Sequence, residues 1–484
     1  MNKPLRRVAL ACLLLFGLLL LNANYVQFVR ADNVNNDAGN RRLLLQEYSR
    51  ERGPILVAGQ PVATSVATEG GDLEYLRQYS NGPLYAPVTG YYSFIFGADG
   101  IERETREVLA GTDDRLFVGR VANLLSGEPE EGGSVVLTLD AGAQQAAWEG
   151  LQGQAGAVTA IDPQTGAILA MASNPSYDPN VLSSHDATAI QGAWTQLTED
   201  PARPMLNRSL RETYPPGSTF KIITAAAALS TGDYDSETEV YAPDELDLPL
   251  TDAVLPNQGG ASCSGTEQIS IRDALRISCN TAFGNLGLEL GADALREQAE
   301  RFGFNTTVDV PMTSAESVFP PEINEPQTAQ SAIGQFDVRS TPLQMAMVVA
   351  GIANDGVVMK PYLVQETRAP DLTPLATTEP EELSEAVTPE VAAQLQSMLV
   401  TVVEEGTGEN AQIEGVTVGG KTGTAQTEPG RPPYAWFVAF APAEDPQVAV
   451  AVLIEEASVA PNDISGGRLA APIARSVMEA VLGR

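Results

Sequence analysis

Between Val8 and Val29 the chain runs for 22 residues without a charge, immediately after Lys3, Arg6 and Arg7. As a helix rising about 1.5 Å per residue, that run is about 33 Å long, enough to cross a bilayer. The basic flank belongs on the cytoplasmic side, so everything after the run is expected to fold on the other side of the membrane. The strongly apolar part ends near Leu21, with Asn22, Asn24 and Gln27 beyond it. A cleaved signal peptide, cut at Val29-Arg30-Ala31, is therefore the competing reading. The length of the uncharged span and its flanks, poor in small residues, favour an uncleaved anchor and a single-pass plasma-membrane protein.

The chain has 484 residues, room for two or three domains, and a formal charge of −33. That charge argues against nucleic acid and against anionic lipid surfaces, both of which are held by basic patches. Its plain meaning is solubility in a salty or acidic-proteome setting. The single histidine, His185, lies in a polar stretch and is expected on an exposed loop. A Ser-His-Asp triad would need it, and a zinc site built on several histidines is excluded. Serine chemistry in this chain calls for a lysine or a carboxylate as base. Cys263 and Cys279 lie outside the apolar run; composition alone leaves a disulfide and two thiols equally open.

Coarse patterning gives three segments: a cytoplasmic stub and anchor at 1–32, a small mixed domain at 33–153, and a larger domain at 154–484. Within 33–153, residues Ile101 to Leu109 read as a helix. Val135 to Asp140 read as a strand leading into a helix from Gln144 to Leu151. The larger domain opens with two apolar strands around Pro163 and Gly166, a hairpin pattern. It closes with strands at Gly415 to Gln426, Ala435 to Ala441 and Gln447 to Ile454, then a helix from Arg468 to Leu482. Hairpins at both ends with helices between predict one antiparallel sheet sandwiched by helices, an α+β fold. The Pro- and Glu-rich residues 369–385 read as an exposed loop.

Only four of the 29 basic residues are lysines: Lys3, Lys221, Lys360 and Lys421. Lysine can give up its proton inside a protein and arginine cannot. Lys221 ends Ser218-Thr219-Phe220-Lys221, behind Pro215-Pro216-Gly217 and ahead of an almost wholly apolar helix. Ser218 is expected at the N-cap or first turn, and residues three apart share a helix face, so Lys221 is expected beside the Ser218 hydroxyl. Burial and a neighbouring positive charge would both lower its pKa and free an amine to act as base. The Ser218 backbone N–H at a helix start is a candidate oxyanion donor. Ser278-Cys279-Asn280 puts a hydroxyl and a carboxamide on one loop, suited to relaying a proton and holding a substrate amide. Lys421-Thr422-Gly423-Thr424 sits on a glycine-flanked strand and makes a carboxylate site, with the Thr424 N–H as second oxyanion donor. Singly, each box has an ordinary reading: a capping serine with a snorkelling lysine, a helix-ending turn, an edge strand guarded by lysine. The ordered trio is far more specific, because it uses two of the four lysines.

S-x-x-K, S-x-N and K-T-G in this order make the chain resemble the class B penicillin-binding proteins, and within them the actinobacterial penicillin-binding protein A group. Pro204-Met205-Leu206-Asn207-Arg208, Ser331 to Gln335, Thr341 to Ala346, Gly420 to Gln426 and Trp436-Phe437 carry the same likeness. The resemblance implies a D,D-transpeptidase fold and an acyl-enzyme on Ser218, formed from a peptidoglycan stem peptide ending in D-Ala-D-Ala. Lys221 would take the Ser218 proton and Ser278 would pass it on. Asn280 would orient the peptide, while Lys421, Thr422, Gly423 and Thr424 would hold the donor carboxylate. An amine acceptor would resolve the acyl-enzyme, and β-lactam antibiotics would block it. No metal or organic cofactor is implied. Divisome or polymerase membrane proteins are the implied partners, and a Cys263–Cys279 bond is expected on compartment and family grounds. Bifunctional relatives carry a glycosyltransferase with a histidine-containing motif, and residues 33–150 hold no histidine. A D,D-carboxypeptidase or β-lactamase-like hydrolase, and a β-lactam-binding scaffold without catalysis, are the alternatives.

Overall fold

The computed structural model describes residues 2–30, 47–69, 73–117, 119, 131–427, 431–460 and 463–484. At the N-terminus a helix, Asn2–Asn24, continues through a π-helical turn, Tyr25–Val29. Lys3–Gln27 is long and apolar enough to cross a membrane, and its leucines are exposed. Ala31 and the junction expected after residue 32 lie outside the described residues.

Five antiparallel strands form the central sheet, in the order Gly419–Ala425, Tyr434–Ala441, Val448–Ala457, Gln154–Ile161, Ile168–Asn174. Tyr434–Ala441 is buried along its whole length. Its pleat sends Trp436, Val438 and Phe440 into one apolar core and Phe437, Ala439 and Ala441 into another. On the first face lies Pro342–Ala353, a helix with all 12 residues buried and apolar nearly all round, as a helix enclosed on every side must be. Ala141–Gly150 and Ala471–Val481 cover the second face through Ala143, Ala147, Ile473, Val477 and Met478. The fold is the expected α+β sandwich.

Ahead of it stands a six-stranded sheet ordered 374–377, 364–368, 134–137, 55–57, 60–67, 75–79. Two of its strands come from late in the chain. The 369–385 stretch is therefore not the simple loop expected: Pro374–Thr377 pairs with Val364–Arg368, and Glu382–Glu385 pairs with Val357–Met359. Backbone pairing there proceeds with mostly exposed side chains, which leave no alternating apolar signal. Nor is Ile101 to Leu109 one helix. It breaks at Thr105 into Ile101–Glu104 and Arg106–Leu109. Glu102, fully buried, takes the Nε–H of Arg52 and of Arg77 at 2.6 Å each and the Tyr79 hydroxyl at 3.0 Å. Burial alone would raise its pKa, but Arg77 and Arg52 outweigh it and hold the carboxylate below its ordinary value. His185 is half-buried, not loop-exposed: its Nε2 lies 3.1 Å from the Tyr75 carbonyl and its ring meets Tyr48 edge to face.

Candidate active site

Pro215 and Pro216 have no N–H, so no helix can run through them into Ser218. Gly217 turns the chain with φ +55°, and its N–H donates to the Gly334 carbonyl at 2.9 Å. Gly334 must be glycine for that approach: a Cβ there would lie 2.1 Å from the Gly217 oxygen. The result is a tight 3-10 turn, Gly217–Phe220, closed by the Thr219 hydroxyl on the Pro216 carbonyl at 2.7 Å. The α-helix proper begins at Lys221 and runs to Ser230. Pro216 takes the cap position, and Ser218 thus lies in the first, 3-10 turn that leads into the helix, one of the two places expected. It is half-buried, and among the described residues its hydroxyl has no hydrogen-bond partner.

Lys221 is fully buried. Its amine donates to the Ser278 carbonyl and to Asn280 Oδ1, each at 2.7 Å, with Ser278 Oγ at 3.4 Å. Its hydrogen bonds thus go to the S-x-N turn. Burial, and then the charge of Lys421, push its pKa well below the ordinary 10.5. A neutral amine has two N–H bonds and one lone pair. In the neutral form both N–H bonds go to the oxygens at 2.7 Å, and the lone pair is what remains for the longer contact with Ser278 Oγ at 3.4 Å or for work as a base.

Ser278 sits between the helices Ile271–Arg276 and Asn280–Arg301 in the left-handed region, φ +63°, a conformation that costs a serine about 1–3 kcal/mol. The strained backbone aims its carbonyl at Lys221 and its hydroxyl at Lys421, whose Nζ donates to Ser278 Oγ at 2.8 Å. Lys421 also donates to the Thr422 carbonyl at 3.0 Å, and burial lowers its pKa to about 7. Lys221, Ser278 and Lys421 form one hydrogen-bonded chain.

The K-T-G box lies on Gly419–Ala425, the edge strand of the central sheet. A Cβ on Gly423 would stand 2.9 Å from the Thr219 methyl and 3.1 Å from the Pro216 carbonyl. Gly423 thus lets the strand close on the Ser218 turn. Thr424 is its neighbour there, its carbonyl oxygen 3.0 Å from where a Gly217 Cβ would lie. The Thr424 side chain is half-buried with no hydrogen-bond partner among the described residues. Thr422 is different: its hydroxyl is 2.6 Å from that of Thr407, so the two share a hydrogen bond.

Several contributors lie outside the three boxes. Trp436 Nε1 donates to the Pro215 carbonyl at 3.0 Å. The Tyr214 hydroxyl donates to buried Glu455 at 3.2 Å, which also pairs with buried Arg208 at 2.8 Å and anchors the approach to Ser218. Asn257 accepts the backbone N–H of Asn280 at 2.9 Å. Cys263 and Cys279 are joined in a disulfide. Among the described residues no group of three or more His, Cys, Asp or Glu side chains is placed to hold a metal.

The sequence matches the family described as the penicillin binding protein transpeptidase domain over residues 156–479. Residues 52–135 match the penicillin binding protein A dimerisation domain. The chain is 47% identical to the peptidoglycan D,D-transpeptidase PbpA of Mycolicibacterium smegmatis, over 100% of this chain and 99% of that protein. It is 45% identical to PbpA of Mycobacterium tuberculosis over the same shares. Among solved structures it is similar to penicillin-binding protein A from M. tuberculosis as a ceftriaxone acyl-enzyme complex. The TM-score there is 0.88 at 44% identity, covering 90% of this chain and 100% of the other. The penicillin G acyl-enzyme complex of that protein superposes with a TM-score of 0.86 at the same identity and coverage.

Proposed function

The chain belongs to the penicillin-binding protein transpeptidases and is a peptidoglycan D,D-transpeptidase of cell-wall synthesis, and from that premise we propose that Ser218 is the residue that carries the acyl group. The observation that supports this most is Lys221, a buried amine whose two N–H bonds are both taken and whose pKa is held down. Its lone pair takes the Ser218 proton as Oγ attacks the carbonyl carbon of the penultimate D-alanine. The Ser218 and Thr424 N–H groups face the oxyanion. The C–N bond to the terminal D-alanine then breaks, and the leaving nitrogen receives the proton through Ser278. Asn280 orients the peptide. Lys421, as a cation, and Thr424 hold the donor carboxylate, with Thr422 supporting the strand through Thr407 and Gly423 admitting the Ser218 turn. An acceptor amine attacks the ester carbon and gives a proton to Lys221; the C–Oγ bond breaks, Lys221 returns the proton to Ser218 Oγ, and an amide cross-link is left. A β-lactam acylates Ser218 by the same route, but its leaving nitrogen stays tethered.

Residues 1–32 in this reading are a plasma-membrane anchor, and 33–153 form a pedestal or interaction module. The transpeptidase domain, 154–484, works on the extracytoplasmic side, with divisome or polymerase membrane proteins as partners and a task in cell division. Intact-mass analysis of the full chain in detergent, with and without penicillin G, tests the chemistry. A long-lived adduct mapped to Ser218 and absent in Ser218→Ala is expected. Rapid loss of the adduct with release of hydrolysed drug would point to a hydrolase, and no adduct at all would sink the nucleophile assignment.

A further inference from the structure

The turn that carries Ser278 and Asn280 is held by a residue outside all three boxes. It opens the helix Asn280–Arg301, whose first N–H groups need acceptors from elsewhere. Cys279, in the N-cap position, offers only a disulfide sulfur, 3.5 Å from the Ala282 N–H, and sulfur is a weak acceptor. The carboxamide of Asn257 fills the gap from a distant segment. Its oxygen accepts the N–H of Asn280 at 2.9 Å and of Thr281 at 3.1 Å. Two backbone donors converging on one atom identify that atom as the oxygen. The amide nitrogen donates to Thr281 Oγ1 at 3.2 Å, and the side chain is buried.

Asn280 is thus tied to Pro256-Asn257 twice. Its backbone N–H meets Asn257, and its side-chain nitrogen donates to the Pro256 carbonyl at 3.1 Å. The oxygen left over is the one that accepts from Lys221 at 2.7 Å. Six residues on, the same segment is pinned covalently, because Cys263 bonds Cys279. We infer that Asn257 is a positioning residue for acyl transfer: it caps the helix from outside and so sets where Asn280 meets Lys221. The inference rests on the transpeptidase mechanism above.

The test is a double-mutant cycle on the full chain, reading the second-order rate of Ser218 labelling by a fluorescent penicillin. Thermal melting checks that each variant is folded. Asn257→Ala is expected to slow labelling about tenfold or more, yet to slow the Asn280→Ala protein by no more than about twofold, since the two act as one unit. Asn257→Asp keeps the acceptor lone pairs and adds a negative charge near Lys221, which favours the ammonium form. It is expected to restore labelling, with the acid limb of the pH profile moved upward. Equal slowing in both backgrounds, or wild-type labelling by Asn257→Ala, overturns the inference. So does an Asn257→Asp protein with an unmoved acid limb, which decides the matter alone if Asn257→Ala does not fold. Failure of the wild-type protein to label at Ser218 would strike the mechanism itself, whereas an indifferent Asn257 would strike only this inference.

Discussion

Two lysines a hydroxyl apart cannot both carry a proton cheaply in a buried site. Lys221 and Lys421 are both fully buried, with Ser278 Oγ between them. In the proposed mechanism they need opposite states. Lys221 acts as a neutral base, so its contribution is present above its own depressed pKa and is lost as pH falls through it. Lys421 acts as a cation, so its contribution is present below about 7 and is lost as pH rises through that value. Acylation of the free protein should therefore follow a bell, with its alkaline limb at about 7. Arginine stays charged, so Lys421→Arg should be slower but should lose the alkaline limb. Stopped-flow acylation between pH 5 and 9 checks this, and an unmoved limb would show that Lys421 does not titrate in the reaction. Ser278→Ala removes the hydroxyl between the two amines and should slow acyl transfer by about 100-fold or more, the usual scale for a proton-relaying group.

At the scale of elements, the site is an edge strand laid against a 3-10 turn. Gly423 sets the distance, and Gly423→Ala would drive a methyl onto Thr219 and Pro216. Overpacking of this kind costs about 1–3 kcal/mol. A strand displaced by even about 1 Å should cost acylation about 100-fold. Calorimetry and labelling kinetics on that variant separate the two effects, and unchanged kinetics would deny Gly423 its spacing role. The boxes are legible in the sequence because each is contiguous and two of them hold rare lysines. Their convergence is legible only through the family resemblance. Asn257, Thr407 and Glu455 act through hydrogen bonds to residues distant in sequence, and an asparagine between Pro256 and Gln258-Gly259-Gly260 looks like any turn. The partner of Lys221 was hidden for a related reason. Helical spacing aims it at Ser218, while the left-handed Ser278, which no periodicity reveals, offers it a carbonyl.

For the whole molecule, the charge of −33 sets a background of self-repulsion that favours the unfolded chain. Shielding should relieve it: raising sodium chloride from 0.05 to 1 M, where the Debye length falls from above 10 Å to about 3 Å, should raise Tm. A melting temperature that falls with salt would mean that favourable ion pairs outweigh the repulsion. The buried Glu102 between Arg52 and Arg77 should resist that screening, since such pairs lie out of reach of mobile ions.

The strand Ser134–Leu137, buried at every residue, pairs with Ile55–Val57 on one side and with Val364–Arg368 on the other. A chain delivered across a membrane from its N-terminus presents the first partner early and the second only after more than two hundred further residues. Through that interval the strand carries an open hydrogen-bonding edge, the kind of surface on which neighbouring chains pair wrongly. On the extracytoplasmic placement proposed above, export would impose a waiting time on the N-terminal sheet. It would stay unfinished until the Ser218 turn and the S-x-N turn had already emerged.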